Sequence, residues 1–252
     1  AIELNGRPSA DDEVTIDVNG LGAIPISYEG GTAGNDTLVL EDSSGATHTT
    51  VTHNFTNNSD GSVAISGGPT ITYTGLEPVV DNLDVNNRVF TFTSAAADAI
   101  TLTAGTTLAF MIDSNQGESV EFAAPNTSST INGNNGADTL NISTPATGFD
   151  VTLNVPTVTL SADIGGTVTG TATTVNVQNG AVIQDGIDAA STTATADVNV
   201  QAGAYTGNVN TTGTNKNITL RPNGTSFGQV EITGDLSVDT GDTLFIQMND
   251  ST

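Results

Sequence analysis

One short pattern recurs along this chain and constrains its fold more than any other feature. The pattern is D-x-U-x-U, in which U is Val, Ile or Leu, and three of its copies open with Asp-Thr-Leu. Its copies begin at Asp12, Asp36, Asp81, Asp98, Asp138 and Asp242. Successive copies are 24, 45, 17, 40 and 104 residues apart, and most of these separations lie near multiples of about 21. This period predicts a β-solenoid in which each repeat forms one coil.

The segments that fill the repeats alternate aliphatic residues with Thr or Asn. Alternation with a period of two predicts strands that bury one face and expose the other. In a solenoid the aliphatic face lines a narrow interior, and the Thr and Asn side chains stack outside on their equivalents. The clearest segments are VTI from Val14, VTL from Val151 and Val158, VNV from Val175 and Val198, and ITL from Ile218.

The composition agrees with a thin, repetitive core, because 36% of the 252 residues are hydrophobic and 4% are aromatic. Such a chain has little material for long amphipathic helices, so we predict an all-β fold. One stretch departs from the strand pattern. VIQDGIDAAS, residues 182–191, spaces Val182, Ile183, Ile187 and Ala190 as a helix does. We therefore expect a short capping helix near residues 182–190, where it would cover strand edges that a solenoid leaves open.

The charge limits the partners that the chain can bind. Four basic residues stand against 28 acidic ones, for a net charge of −24. This charge repels nucleic acid and anionic membranes and favours cations, although it also serves simply to solvate a surface in high salt. No apolar run approaches the roughly 20 residues of a membrane span. We expect neither nucleic-acid binding nor membrane insertion.

Several stretches resemble known families. VIQDGIDAASTTATADVNVQAGAYTGNVNTTGTNKNITLRPNG, from Val182, resembles the opening of pectin-lyase-like right-handed β-helix domains. GGTAGNDTLVL, from Gly30, looks like repeat modules of very large secreted or cell-surface bacterial proteins with RTX-like calcium-binding turns. GQVEITGDLSVDTGDTLFIQMND, from Gly228, is similar to β-helical segments of adhesins and autotransporters. The resemblance implies a right-handed parallel β-helix at the cell surface or outside the cell, and it names no reaction.

The resemblances also suggest a division of the chain. Residues 1–155 are expected to form a β-solenoid repeat region with RTX-like turns. Residues 156–252 are expected to form a pectin-lyase-like β-helix segment that starts after the short helix.

Two turns are candidate calcium sites. NGNNGADTLNI, residues 132–142, nearly fits the calcium-binding nonapeptide G-G-x-G-x-D-x-U-x, and GGTAGNDTLVL shares its ending. The candidate ligands are Asn35, Asp36, Asn134 and Asp138. The two turns are 102 residues apart, and calcium takes 6–8 oxygen ligands, so another coil or subunit would have to complete either site. The alternative is that Gly and Asn form the turns and that each Asp bonds to the amides of its own turn.

Carbohydrate binding is a second possibility, because the β-helix resemblance includes polysaccharide-cleaving enzymes. Tyr205 could stack on a sugar or simply fill a corner of the fold, and Arg221 and Lys216 are the basic residues near the β-helix pattern. No pair of acids stands out around them, so we predict no catalytic residues. His48 and His53 are an odd number of residues apart in a predicted strand, which places them on opposite faces and argues against a metal-chelating pair.

The sequence thus predicts a non-catalytic extracellular structural protein. It would be a module of a surface adhesin or matrix, or a self-assembling filament subunit, with calcium as a candidate stabiliser. We expect end-to-end self-association or continuation into a larger protein. The alternative is a carbohydrate-binding or polysaccharide-cleaving β-helix.

Overall fold

The chain is built almost entirely from β-strands. The computed structural model describes residues 1–31, 34–134, 136–143, 147–212, 216–223, 230–238 and 240–244. Within these residues the one helix is α1 (Ile183–Ala189), and strands make up the rest of the regular structure. The predicted all-β class is therefore confirmed. Two compact units divide the chain, unit 1 (Ala1–Asp138) and unit 2, which begins at Thr139. The boundary expected after residue 155 stays a prediction.

Unit 1 contains thirteen strands in its described residues. They are β1 (Ile2–Asn5), β2 (Glu13–Asp17), β3 (Ile26–Glu29), β4 (Thr37–Glu41), β5 (His48–Phe55), β6 (Gly61–Ile65), β7 (Thr70–Thr74), β8 (Val79–Asp81), β9 (Val85–Phe92), β10 (Ala99–Ala104), β11 (Phe110–Ser114), β12 (Val120–Phe122) and β13 (Ser128–Asn132).

The strands of unit 1 form two sheet segments, with the orders β1-β3-β7-β6-β5-β9-β13 and β2-β4-β8-β12-β11-β10. Most neighbours are parallel, and equivalent residues lie in register. Ile2 pairs with Ile26, and Ile26 pairs with Ile71. The first four strands alternate between the two segments as they follow one another along the chain.

Two antiparallel meanders interrupt this parallel arrangement. The strands β5, β6 and β7 pair antiparallel in succession, and so do β10, β11 and β12. The first meander lengthens one step of the sheet. Leu38 on β4 pairs directly with Val79 on β8, 41 residues later, so strands are inserted within a single step. Asp81 pairs with Leu40, so it is not the register equivalent of Asp36, and their separation of 45 residues does not represent two coils.

Unit 2 contains twelve described strands and the helix. The strands are β14 (Thr139–Ile142), β15 (Asp150–Asn154), β16 (Thr157–Leu160), β17 (Val168–Gly170), β18 (Thr174–Val177), β19 (Thr195–Gln201), β20 (Gly203–Thr206), β21 (Val209–Asn210), β22 (Asn217–Asn223), β23 (Val230–Thr233), β24 (Leu236–Ser237) and β25 (Thr243–Leu244).

Every strand pair given for the described part of unit 2 is parallel. The longest run is β14-β16-β18-β19-β22-β25, and shorter pairs join β15 to β17, β20 to β23 and β21 to β24. Partners in the long run lie about one predicted period apart. Thr157 pairs with Thr174, and Thr174 pairs with Asp197. The strand pairing of unit 2 thus repeats at about the period inferred from the sequence.

The predicted short helix is present as α1. It buries Ile183, Ile187 and Ala189, and Gly186 lets it approach β18. A Cβ on Gly186 would lie 2.4 Å from Cγ2 of Val177, a distance that real Cβ atoms do not tolerate. The role of α1 as a cap remains a prediction. No helix among the described residues has the length and apolar character that crossing a membrane requires.

Candidate functional site

The three Asp-Thr-Leu copies make one shared contact. In each copy the aspartate Oδ1 accepts a hydrogen bond from a backbone N–H at or beside the start of an earlier strand, at 2.9 Å in every case. The donor and acceptor pairs are Asp12 with Asp36, Asp98 with Asp138, and Ile218 with Asp242. A strand's first N–H would otherwise be a buried or half-buried donor in need of an acceptor. The repeated aspartate therefore caps an earlier strand.

Glycines make room for two of these aspartates. A Cβ on Gly30 would lie 2.8 Å from the Cβ of Asp36 and 2.3 Å from the carbonyl oxygen of Gly75. A Cβ on Gly133 would lie 2.8 Å from Oδ2 of Asp138. A side chain at Gly30 would displace backbone, and one at Gly133 would push the Asp138 carboxylate away. The glycine that stands five or six residues before the aspartate thus has a packing reason that involves no metal.

The surroundings of the four candidate calcium ligands are mixed. Asp36 and Asp138 are buried. Asn35 is exposed and its N–H donates to Oδ1 of Asp11 at 2.9 Å, while Nδ2 of the exposed Asn134 donates to the carbonyl of Thr93 at 3.3 Å. Across the described ranges, His, Cys, Asp and Glu side chains form no group of three or more that could hold a metal ion. Calcium also takes carbonyl oxygens, so calcium binding stays a prediction.

The predicted alternative to calcium was that each aspartate bonds to its own turn. The contacts include one that this alternative did not anticipate. Asp36 reaches 24 residues back along the chain and Asp138 reaches 40 residues back. The carboxylates therefore join separate strands, which is a use that the spacing alone did not indicate.

Asp12 directly precedes β2, which pairs with β4 alone among the described strands. Its carboxylate is engaged by Arg7 instead of by a strand. Oδ1 accepts from Nε at 2.8 Å and from Nη2 at 2.7 Å, and Oδ2 accepts from the backbone N–H of Arg7. These hydrogen bonds hold the pKa of Asp12 below its ordinary value, and the backbone one has the largest effect. The Arg7 side chain is 72% exposed.

The copy at Asp81 has a different environment, a fully buried charge cluster. Asp81 Oδ2 accepts from Nη1 of Arg88 and contacts Nε2 of His53 at 2.9 Å. The remaining guanidinium nitrogens donate to the carbonyls of Leu83, at 2.7 Å, and Ala123, at 3.0 Å. Burial alone would raise the pKa of Asp81, but the Arg88 charge and the His53 hydrogen bond outweigh it and hold the pKa at about 2. The cluster is a paired and hydrogen-bonded ion pair.

Sequence reasoning missed this cluster, although part of its signal was present. His53 alternates with Val51 and Phe55 on the buried face of β5, as the strand pattern requires. His48 is on the other face and contacts Asp42 at 3.0 Å. The predicted separation of the two histidines onto opposite faces is therefore confirmed.

A second buried acid lies in unit 1. Glu118 is 2% exposed, and its Oε1 accepts from the N–H and hydroxyl of Ser119 at 2.9 and 3.3 Å. Its Oε2 and the hydroxyl of Tyr73 are buried with no hydrogen-bond partner among the described residues. Burial raises the pKa of Glu118 to about 8, and the nearby Glu77 adds to the effect. This carboxyl therefore stays protonated at neutral pH.

The two candidate carbohydrate ligands lie in unit 2. Tyr205 is 4% exposed, and its hydroxyl donates to the carbonyl of Gln201 at 2.8 Å. Its ring is thus largely enclosed by the protein. Arg221 pairs with Asn199 in the register of β19 and β22, and its side chain lies outside the described part of the structure. A ligand-binding role for either residue stays a prediction.

Comparison with known proteins gives no further assignment for these sites. Neither a protein-family model, nor a curated protein, nor a solved structure matches the chain.

Proposed function

We propose that the chain is an extracellular structural protein, built as a right-handed parallel β-helix, that serves as a module of a surface adhesin or matrix or as a filament subunit. The observation that carries this proposal is the repeated parallel pairing of unit 2, in which the strands of the run β14-β16-β18-β19-β22-β25 follow one another in register. Repeats that stack only on their neighbours form a quasi-one-dimensional architecture.

The order of the strands supports the β-helix. Parallel strands cannot be joined by tight hairpins, so each return to the same sheet needs a crossover. In the long run of unit 2, paired residues on neighbouring strands are separated by similar numbers of residues, from 17 between Thr157 and Thr174 to 24 between Thr219 and Thr243. A chain that makes this step repeatedly winds into a solenoid. The right hand of the winding is taken from the family resemblance.

The outer faces favour a structural role over a catalytic one. On unit 2, Nδ2 of Asn199 donates to Oδ1 of Asn176 at 3.1 Å, and Nδ2 of Asn176 donates to Oγ1 of Thr159 at 3.3 Å. On unit 1, the hydroxyl of Ser128 donates to Oδ1 of Asn87 at 2.8 Å. Polar side chains that bond to each other across strands stabilise the stack. They form a ladder of satisfied groups, which leaves few of them to orient a substrate.

The extracellular location and the calcium contribution rest on the resemblance and on the charge. The resemblance to secreted repeat modules favours both, and a net charge of −24 makes cations the favoured counter-charge. Calcium at a junction between acidic surfaces would reduce their repulsion. The exposed Asp11 and Glu13 are the candidates for such a contact, whereas the buried Asp36 and Asp138 would hold calcium only inside the protein.

Negative-stain electron microscopy tests the proposal directly. The purified chain would be imaged at high concentration in millimolar calcium and again after chelation, at low and at high salt. Filaments or end-to-end oligomers in any of these conditions support a self-assembling structural protein, and their loss on chelation supports the calcium contribution. Monomers throughout would argue against self-assembly, and a glycan array would then test the carbohydrate alternative.

A further inference from the structure

The second meander contains two glutamates whose carboxyl groups are bonded very differently. Glu121, on β12, reaches the turn between β10 and β11, and its Oε1 accepts the three consecutive backbone N–H groups of residues 106–108. Glu118 lies in the turn between β11 and β12, residues 115–119, and its Oε2 is buried with no hydrogen-bond partner among the described residues. One carboxylate is thus surrounded by donors, whereas the other keeps an oxygen without any.

The 115–119 turn packs closely on the interior of unit 1. A Cβ on Gly117 would lie 2.9 Å from Cε1 of Phe92, so the backbone of the turn lies directly on that ring. Tyr73, on β7, is 1% exposed, and its hydroxyl also has no hydrogen-bond partner among the described residues. Burial raises the pKa of Tyr73, and the charge of Glu118 adds to the effect. Two buried polar groups without partners therefore lie near one another.

The charged groups that act on this pair from neighbouring elements are acidic. Burial has the largest effect on the pKa of Glu118, and the charges of Glu77, just before β8, and Asp113, on β11, raise it further. Asp60, just before β6, acts on Tyr73 in the same direction. An anion at Glu118 would therefore meet like charges on several sides.

The cations of unit 1 are bound at other places. Its two strongly basic residues, Arg7 and Arg88, bind Asp12 and Asp81. The two histidines of the chain likewise contact aspartates. Glu118 is thus left without a counter-charge of the kind that stabilises Asp81.

Its surroundings make the charged form of Glu118 unfavourable inside the protein. An isolated carboxylate costs far more to bury than the neutral acid, and nearby like charges increase the cost. As the neutral acid, Glu118 can remain in place. As an anion, it gains free energy by moving into water. In agreement with this, the pKa of Glu118 is raised to about 8.

The described hydrogen bonds of the 115–119 turn are mostly local. The N–H groups of Gln116 and Ser119 donate to side chains one or two residues away. Two contacts reach neighbouring strands. Oδ1 of Asn115 accepts from the N–H of Ala99 at 2.7 Å, and the carbonyl of Ser119 accepts from the N–H of Val79 at 3.0 Å. Opening of the turn breaks these two contacts and leaves the ladder between β11 and β12 in place.

We propose that Glu118 is a pH-dependent switch, which as a neutral acid keeps the 115–119 turn closed over Phe92 and as an anion leaves the interior and opens the turn. The open form exposes Glu118 at its ordinary pKa of 4.5, whereas the closed form holds the pKa at about 8. The closed form is therefore fully favoured at acidic pH and is lost progressively as the pH rises from about 4.5 to about 8. Above that range both forms are anionic, and the dependence ends.

Hydrogen exchange of the full chain between about pH 5 and pH 9 tests this switch, once the rates are corrected for the ordinary pH dependence of amide exchange. Because opening releases one proton, protection of the 115–119 amides should fall about tenfold for each pH unit up to about 8 and then level off. The turn at residues 106–108 is an internal reference. Its glutamate is already bonded as an anion, so its protection should show no such fall.

Three variants sharpen the measurement. Glu118→Gln is neutral at every pH, so the 115–119 turn should stay protected without a slope. Glu77→Gln removes a like charge and should leave the turn better protected than in the original chain above about pH 7. Glu41→Gln makes the same chemical change at an exposed position of β4, and this matched control should behave as the original does. Circular dichroism would establish that each variant folds.

Carbon-13 NMR of the glutamate carboxyl groups in the original chain provides a second test that needs no variant. Glu118 should titrate near 8, and titration near 4.5 would overturn the switch. A flat protection profile in the original chain, or an equal slope in Glu118→Gln, would also overturn it. So would an equal fall in protection at residues 106–108, since unit 1 would then loosen as a whole.

Discussion

Unit 1 and unit 2 use similar parallel pairing but fill their interiors differently. In unit 2 the described neighbours are all parallel, and aliphatic residues such as Val158, Val175 and Val198 lie in register. In unit 1 two antiparallel meanders enter the sheets. There the interior holds stacked aromatic rings, including Phe55 on Phe92 with centroids 4.5 Å apart, and the buried charge cluster around Arg88.

The difference shows how a parallel repeat accepts an insertion. A meander of three strands begins and ends on strands that run in the same direction, so the parallel pairing can resume beyond it. β5 pairs parallel with β9, and β7 pairs parallel with β3. The aromatic and charged residues lie on β5, β8, β9, β11 and β12, within or next to the meanders in the pairing order. Larger side chains fill the interior near the insertions, whereas the uninterrupted parallel run of unit 2 is filled mainly by aliphatic ones.

The largest expected effect breaks the charge cluster that distinguishes unit 1. Arg88→Met would leave Asp81 buried without its main charge partner, so the free energy of unfolding of unit 1 should fall by about 3–5 kcal/mol. Urea denaturation, followed by hydrogen exchange in peptides of each unit, would measure the loss. Unit 2 should be unaffected if the two units unfold separately.

Thr49→Ala on the exposed face of β5 is the control and should change stability by less than about 0.5 kcal/mol. The double variant Asp81→Leu with Arg88→Met should recover much of the loss, because no charge is then buried alone. A loss below about 1 kcal/mol for Arg88→Met would show that solvent reaches Asp81 and that the cluster is not a buried pair.

A core truncation in unit 2 should have the next largest effect. Leu160 is fully buried on β16, and Leu160→Ala should cost about 3 kcal/mol through lost burial and the cavity left behind. Thr195→Ala, at an exposed position of β19, serves as the control. Thermal and urea unfolding would measure both variants. If Leu160→Ala barely changes the free energy of unfolding, the interior of unit 2 can close around the cavity. Its packing would then be less specific than that of unit 1.

The next largest expected effect is a difference between the two units in how their free energy of unfolding depends on pH. A carboxyl whose pKa is raised in the folded state binds a proton that the unfolded state has already released, so stability falls as pH rises towards the folded pKa. For Glu118 in unit 1 this fall extends from about 4.5 to about 8, and for Asp185 in unit 2 it ends at about 6. Between pH 7 and 8 unit 1 alone should lose about 1 kcal/mol.

Glu118→Gln should remove this dependence in unit 1 and leave that of unit 2 unchanged. The measurement is a series of urea titrations between pH 5 and 9. Asp81 acts at the other extreme, since its lowered pKa means that stability is lost as pH falls from about 3.8 towards about 2. A flat profile between pH 6 and 8 for the original chain would mean that Glu118 is hydrated.

The smallest expected effect concerns the outer ladder of unit 2. Asn176→Ala removes the hydrogen bonds to Thr159 and Asn199 and should cost about 0.5–1 kcal/mol, because water replaces part of what is lost. Asn176→Thr should restore some of the stability. Equal stability of all three proteins in urea titrations would show that the ladder contributes to order and not to free energy.

Strand pattern and composition were sufficient to predict the class of the fold. Alternation of aliphatic residues with Thr and Asn identified strands such as those from Val151 and Val175, and the spacing of apolar residues identified α1. These signals are local, because they depend only on which side of a strand or helix each residue takes. They say nothing about the direction of the neighbouring strand.

The meanders and the charge cluster could not be predicted for that reason. A separation of 45 residues between Asp36 and Asp81 fits two periods as well as one period with an insertion, and only strand pairing distinguishes them. The cluster joins His53, Asp81 and Arg88 across two sheets of unit 1. For the aspartate copies, the sequence identified the repeat and its glycine, but the N–H that each carboxylate accepts lies 24 or more residues away.

The direction of these aspartate contacts has a consequence for how the chain matures. In all three Asp-Thr-Leu copies the carboxylate belongs to the later segment and the donor to the earlier one. A ribosome delivers the earlier segment first. Each of these strands is therefore finished by residues that emerge at least 24 positions after it, and its first N–H stays with water until then. These contacts therefore favour folding in the order of synthesis. The newest strand keeps unpaired backbone groups until the next segment has been made.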